Sequence, residues 1–300
     1  MRKLTFTVPE AYDAAQLKGF LRHFCGVSAR LLTDLKKEPL GITVNGVHAT
    51  VRKVLQAGDQ VQLALPADGA CPEPVDLPLA PLYEDRDLLA VDKPAAMPVH
   101  PSPGHDRDSL ANAAAAYFQK KDACCAFRPV YRLDRDTTGV LVLAKNTYAA
   151  ARLAHGIEKV YLAVCEGILT GSGTENSPIE RLPGHTIQRC VSENGIHAVT
   201  HWRALCCSKS HTLAAFRLET GRTHQIRVHM SNRGNPLAGD DLYGGSREYI
   251  GRQALHCAQA IFQHPVTGER MCIIAPVPED FCILLESCGL QVPQNYSNFI

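Results

Sequence analysis

Three hundred residues, 45% hydrophobic and 20% charged, fit a globular chain with room for one large domain and a small accessory one. No apolar run approaches the roughly 18 residues a membrane span needs, and the basic start Met1-Arg2-Lys3 precedes too short an apolar stretch for a secretory signal, so the expected compartment is the cytoplasm. The net charge of +1 hides an asymmetry: residues 1–66 carry nine Lys/Arg against five Asp/Glu, and the rest 22 against 25, which suits a polyanion-binding front end.

In chain order, Leu17, Phe20, Leu21 and Phe24 recur at helical spacing, predicting a helix from Asp13 to Phe24 that Gly26 ends. Ser28 is placed to cap a second helix carrying Leu31, Leu32 and Leu35, decorated by Arg30, Lys36 and Lys37. Ile42 to His48 alternates around an Asn45-Gly46 hairpin turn, and Val61 to Leu65 follows as a further strand. Residues 1–66 thus form a unit, and Pro72, Pro74 and Pro78 make 67–80 a linker. Two short basic helices followed by a small hairpin resemble the RNA-binding module first known from small-subunit ribosomal protein four. Gln16 and Ala29 depart from its pattern, which weakens the implied RNA affinity, while Arg52 and Lys53 remain beside Arg30, Lys36 and Lys37.

The second unit, residues 81–290, opens with a charged turn, Glu84 to Asp87, feeding a strand that Pro94 stops. That turn, with Asp92, reads as solvated rather than as a pair of glycosidase carboxylates. Prolines pin the loop from Met97 to His105, and alanines favour a helix over 109–120. A charged loop, Tyr131-Arg132-Leu133-Asp134-Arg135-Asp136-Thr137-Thr138-Gly139, runs straight into the apolar strand Val140 to Ala144. Asn146 or Thr147 caps a helix running to about His155, and Lys159 to Gly167 is the next strand. Residues 168–198 are punctuated by glycine and proline; Thr200 to Leu205 and Thr212 to Leu218 read as strands, and Thr223 as the N-cap of a helix that Gly234 closes. Residues 291–300 read as a tail. Without regular β-α alternation, the expected class is α+β: a mixed, mostly antiparallel sheet with peripheral helices, plus the small amino-terminal helix-hairpin domain.

Twelve cysteines contain no C-x-x-C pair, so reduced, buried thiols are expected rather than a zinc site or a disulfide framework. His224 and His229, five residues apart on a helix, diverge by about 140° and suit no metal. The expected metal set is therefore empty.

Charge set against a buried strand requires a partner, which singles out Asp134 or Asp136. A carboxylate held beside an arginine stays ionised and can act as nucleophile or base, and a tyrosine supplies a stacking face and a phenol. The blocks R-L-D-x-x-T-T-G (132–139), K-x-Y-L-A-V-x-E-G (159–167) and L-E-T-G-R-T-H-Q-I-R-V-H (218–229), with flanking blocks at 83–102 and 235–244 and further matches to residue 278, resemble the RluA-type pseudouridine synthase family over about residues 80–280. The resemblance implies isomerisation of uridine to pseudouridine in RNA, large-subunit ribosomal RNA first and transfer RNA second, without a cofactor, since the reaction involves no net redox change; a monomer is the default expectation. It implies Asp134 as nucleophile, Tyr161 as the tyrosine against the target base, Arg222 as the arginine paired with the aspartate, and Leu255 on the site floor. Arg132, His224, Gln225, Arg227 and possible phosphate ligand Arg181 are expected RNA contacts, and Gln225 equally reads as a structural cap. Asp136 is expected to shape the turn. Tyr131 stands where many relatives have histidine, which implies altered RNA contacts. The competing readings are an RNA-binding ribosome-assembly factor without turnover and, less favoured by the basic front end, a nucleoside or glycoside hydrolase acting on small substrates.

Overall fold

The structure, a computed structural model, describes residues 2–66, 71–121, 125–154 and 156–291. The tail beyond Gln291, Cys124 and the expected helix end at His155 lie outside the described residues.

The amino-terminal unit is a four-stranded antiparallel sheet with two short helices. Its strands β1 (Lys3–Thr7), β2 (Ile42–Val44), β3 (Val47–His48) and β4 (Gln60–Ala64) lie in the order β1-β4-β2-β3. Asn45 and Gly46 have φ of 52° and 80°, the left-handed pair that an Asn-Gly hairpin turn demands. The helix expected from Asp13 starts only at Leu17. Ala14 sits at φ 58°, and the 14–18 backbone pairs with 51–55, so those residues are drawn into sheet-like bonding first. Helix α1 (Leu17–Gly19) then widens into a π-helical turn, Phe20–Phe24. Helix α2 (Ala29–Leu35) is capped as expected: Leu31 N–H donates to Ser28 Oγ at 3.2 Å. Leu17, Phe20, Leu21, Leu35, Val61 and Leu63 are fully buried in a core of their own.

The main sheet runs β5 (Ala80–Glu84), β6 (Leu88–Lys93), β7 (Thr138–Ala144), β8 (Glu158–Glu166), β9 (Ser172–Glu175), β12 (Thr200–Cys207), β13 (His211–Leu218), β14 (Leu255–Gln263) and β15 (Arg270–Ile274), with β10 (Ile179–Arg181) and β11 (Arg189–Val191) as a separate hairpin. Its order is β5-β6-β7-β14-β8-β13-β12-β9, with β15 on β14. Among the described residues only the β7–β14 pairing is parallel, so the mostly antiparallel mixed architecture follows the sequence expectation. Around it lie α3 (Leu110–Lys120), α4 (Thr147–Leu153), α5 (Gln225–Asn232) and α6 (Glu279–Ser287). Strand β7 is buried at every position because it is covered on both faces, which explains its unbroken apolar run. Gly139, at φ 109°, lets β7 press against β14: a Cβ there would collide with the Cys257 carbonyl.

Two expectations are corrected. The Glu84–Asp87 turn is not solvated. Asp87 is 3% exposed; it accepts Arg2 Nε at 2.9 Å and Nη2 at 2.6 Å, and Asn146 Nδ2 at 2.8 Å. Asp85 accepts the His264 ring nitrogen at 2.8 Å, and Glu84 accepts Lys145 and the Tyr117 hydroxyl. The cysteines are also less uniformly buried than expected: Cys25, Cys165 and Cys257 are buried, but Cys71, Cys207 and Cys272 are exposed.

Arg2 is one of several clamps between the two units. Tyr148 of α4 lies in the amino-terminal core, where its hydroxyl donates to the Cys25 carbonyl at 2.7 Å and its ring meets Phe6 at 6.1 Å. The segment leading to β5 is strapped along α3, with Asn112 Nδ2 donating to the Glu73 carbonyl at 2.9 Å and Lys120 paired to Asp76 at 2.6 Å.

Candidate active site

The strand order β7-β14-β8-β13 brings to one place the loop before β7, the start of β14, the tyrosine of β8 and the segment after β13. They line a cleft of 790 Å³ that includes Asp134, Tyr161, Arg222, His224, Arg227 and Leu255, closed on another side by the loop from Pro98 to Ser102.

The Asp134 loop is held from behind. Thr137 N–H donates to the Asp134 carbonyl at 3.1 Å, closing the turn, and Arg252 Nη1 donates to the Asp136 carbonyl at 3.1 Å. Lys93, fully buried at the end of β6, donates to the carbonyls of Pro94 at 2.7 Å, Met97 at 2.9 Å and Arg135 at 2.7 Å. Burial pulls Lys93 down to about 7, opposed by Asp136 and Asp134. Asp136 pairs with the Arg135 side chain at 3.0 Å, rather than bonding to nearby backbone as expected.

Asp134 is a quarter exposed, open to the cleft but not loosely solvated. Arg227 Nη1 donates to its Oδ2 at 3.2 Å, and His224 Nε2 lies 3.9 Å from the same oxygen. Arg227 also forks onto Asp240, with Nε to Oδ2 at 2.7 Å and Nη2 to Oδ1 at 2.8 Å, and covers the Tyr243 ring at 4.9 Å. Burial works against that guanidinium, but Asp240 and then Asp134 overcome it and raise its pKa.

The expected partner of Asp134 is therefore corrected. Arg222 is exposed and donates to the His197 carbonyl at 3.0 Å; Arg227 makes the ion pair. Arg222 precedes the helix, on the cleft rim. Arg227 is the third residue of α5, which is buried at every position from Gln225 to Met230, with Ile226 and Met230 in the main core and Val228 in a separate cluster with Ile179 and Tyr243. Arg227 is for the same reason no phosphate contact. Gln225 is not one either: it is 2% exposed, its Oε1 accepts Thr220 Oγ1 and Arg222 N–H, and its Nε2 donates to the Val199 carbonyl and Thr200 Oγ1. It caps the turn from inside, and the helix begins at Gln225 after His224 rather than at Thr223.

Tyr161 is 5% exposed and opposite Cys257 across β8–β14. Burial, then Cys257 and Asp134, push its phenol well above the ordinary value, so it is protonated at neutral pH. Tyr131 turns its hydroxyl inward, donating to the Val140 carbonyl at 2.8 Å, while Lys159 sits over its ring at 5.0 Å. Leu255 is buried at the start of β14 and lines the cleft. Arg132 and Arg135 are exposed on the cleft; Arg30, Lys36 and Lys37 are exposed on or just after α2, and Arg181 is exposed at the end of β10. His229 is buried between Thr200 Oγ1 and the Ser177 carbonyl, a structural role. Asp240 and Tyr243 were given no role by the sequence reading. The signal for them was an arginine between the aliphatic Ile226 and Val228 in a helix followed by Met230, where burial requires an acidic partner elsewhere.

A sequence profile for the RNA pseudouridylate synthase domain matches residues 87–232. The chain is similar to the uncharacterized RNA pseudouridine synthase YjbO of Bacillus subtilis, 41% identical over 87% of this chain and 95% of that protein. It is similar, at 36% identity over 89% of this chain and 88% of the other, to the ribosomal large subunit pseudouridine synthase D of Xanthomonas campestris pv. campestris. Among solved structures, human RNA pseudouridylate synthase domain containing 1 superposes with a TM-score of 0.55 at 27% identity, covering 66% of this chain and 83% of that one. Domain containing 4 superposes at 0.58 and shares the fold at 24% identity, covering 72% and 95%.

Proposed function

Because the chain belongs to the RNA pseudouridine synthase family, we propose that its cleft isomerises a uridine of structured RNA, in large-subunit ribosomal RNA first and transfer RNA second, with Asp134 as the reacting carboxylate. The observation that carries the assignment is the position of Asp134: it opens to the cleft while Arg227 holds one oxygen at 3.2 Å. The relative named for the large ribosomal subunit supports the choice of RNA.

The reaction breaks the N1–C1′ bond, turns the uracil, and forms a C5–C1′ bond; C5 loses a proton and N1 gains one. Such chemistry needs a carboxylate that is ionised, oriented and reachable, and a closed pocket that keeps the detached base. Asp134 reaches the nucleotide only after the base leaves its stack, which favours loops and opened helices. The buried Tyr161 phenol walls the pocket with a stacking face and is a proton donor at neutral pH. Arg132, Arg135 and Arg222, exposed around the cleft, suit the flanking phosphates. The amino-terminal unit, with Arg30, Lys36 and Lys37 exposed, acts as a second RNA contact like the module of small-subunit ribosomal protein four.

Mapping pseudouridine in total RNA from a strain lacking the gene, restored with wild type or Asp134→Asn, tests the reading. Sites should vanish on deletion and return with wild type alone. Pseudouridine made by Asp134→Asn would remove Asp134 from the chemistry, and unchanged sites with disturbed ribosome assembly would favour a binding factor.

A further inference from the structure

His224 was expected to touch RNA, and its surroundings assign it another task. It is not glycine, yet it holds φ 58° and ψ 21° at the start of α5, a left-handed conformation that costs on the order of 1 kcal/mol and must be enforced by its neighbours. The enforcing group is Tyr243, whose hydroxyl lies 2.8 Å from His224 Nδ1 and whose ring meets the imidazole edge-on at 5.6 Å.

The hydrogen bonds fix the imidazole tautomer. Arg189 N–H can only donate, and it donates to the Tyr243 oxygen at 2.9 Å. Among the described residues Nδ1 is the acceptor within reach of the phenol's own proton, and taking it leaves the proton of the neutral ring on Nε2. Nε2 is the atom that lies 3.9 Å from Asp134 Oδ2. Burial lowers the pKa of His224, and among the charged groups around it Asp134 and Asp240 oppose that shift while Arg227 and Arg189 add to it. The ring is thus neutral at neutral pH and presents a donor rather than a charge.

Among the described residues, the ion-pair distances to the Asp134 carboxylate, from Arg227 and His224, both fall at Oδ2. Arg227 divides its guanidinium between Asp134 and Asp240, and its shorter bonds go to Asp240. We propose that His224, its tautomer set by Tyr243, is a positioning residue whose Nε2–H, 3.9 Å from Oδ2 of Asp134 and beyond hydrogen-bond reach in the RNA-free chain, closes on that oxygen when the nucleotide binds and thereby reserves Oδ1 for the reacting nucleotide. The inference rests on Asp134 being the reacting carboxylate.

The test uses total RNA from the deletion strain, labelled with tritium at uridine C5, whose release to water reports pseudouridine formation. Enzyme is in excess, and the single-turnover rate is read against enzyme concentration. His224→Asn tolerates the left-handed backbone and still offers Tyr243 an acceptor, but it is too short to reach Asp134. Its saturating rate should fall about tenfold, with the half-saturating concentration unchanged. His224→Gln, whose amide N–H extends to the Nε2 position, should recover most of that loss. Tyr243→Phe, which removes the lock without entering the cleft, should lower the rate and move its acid limb to higher pH, because the neutral ring loses the donor that favours it. Tyr243→Phe also carries the test should the His224 variants fail to fold. A wild-type rate with a raised half-saturating concentration in His224→Asn would overturn the proposal in favour of an RNA contact. Equal damage in the Asn and Gln variants would overturn it in favour of a purely structural ring. Tritium release by Asp134→Asn would instead overturn the underlying reading, whereas an inert Asp134→Asn beside fully active His224 variants would overturn this inference alone.

Discussion

Replacing Arg227 with methionine separates what the arginine does for the fold from what it does for Asp134. The side chain donates three charged hydrogen bonds, two to Asp240 and one to Asp134, and Asp240 has no exposed side-chain surface. Methionine fills similar space but leaves the Asp240 carboxylate buried without its counter-charge, a loss of about 3–5 kcal/mol. At a denaturant slope of about 3 kcal/mol per molar, the urea midpoint should fall by about 1 M or more. Replacing Asp240 by leucine in the same chain removes the stranded charge and should recover most of the midpoint. It cannot restore the bond to Asp134, so tritium release should stay low in the doubly substituted protein. A single variant with a midpoint like wild type, or a double variant with full activity, would refute the reasoning.

Other outcomes can be checked separately. Arg222→Ala should leave the saturating rate intact and raise the half-saturating RNA concentration, with the salt slope of binding reduced by about 0.7, one phosphate contact to single-stranded RNA. Gly139→Ala should destabilise the protein by several kcal/mol, measured as loss of soluble yield and thermal midpoint, because its Cβ meets backbone rather than a movable side chain. Burial raises the pKa of Glu84, but Lys121, Tyr117 and Lys145 outweigh it and bring the folded value to about 2. That lies below an unfolded value of about 4.3, so its stabilisation is complete above that pH and is lost as pH falls toward 2. Glu84→Gln should therefore be less stable near neutrality and show a shallower acid transition by circular dichroism.

The blocks that carry chemistry were legible because they join charge to apolar strands in a way that packing alone does not require. Asp134 and Tyr161 stood out in their segments as polar residues at the ends of apolar strands, whereas Leu255 was given its place only by the family resemblance. The partner of Asp134 could not be read the same way. Arg222 and Arg227 share a motif, and only the helical phase, set by a left-handed His224 and the internal cap of Gln225, decides which of them faces inward. The strands β9 to β11 escaped because they are short, partly exposed and interrupted by glycine and proline, so alternation had little length in which to show. Strand β1 did alternate, through Leu4, Phe6 and Val8, but its pairing with β4 spans more than fifty residues. The acidic turn at 84–87 looked solvated because its counter-charges, Arg2, Lys145 and His264, come from distant parts of the chain.

The clamp between the two units changes what substrate selection can mean. With Arg2 forked onto Asp87 and Tyr148 seated in the amino-terminal core, the span from the exposed Arg30, Lys36 and Lys37 to Asp134 is set by contacts between the two units. An RNA that engages both must present its uridine at that span from a second anionic surface. If the proposed RNA contacts hold, the fold would work as a caliper, reading how far, and at what angle, the next helix of the RNA stands from the uridine.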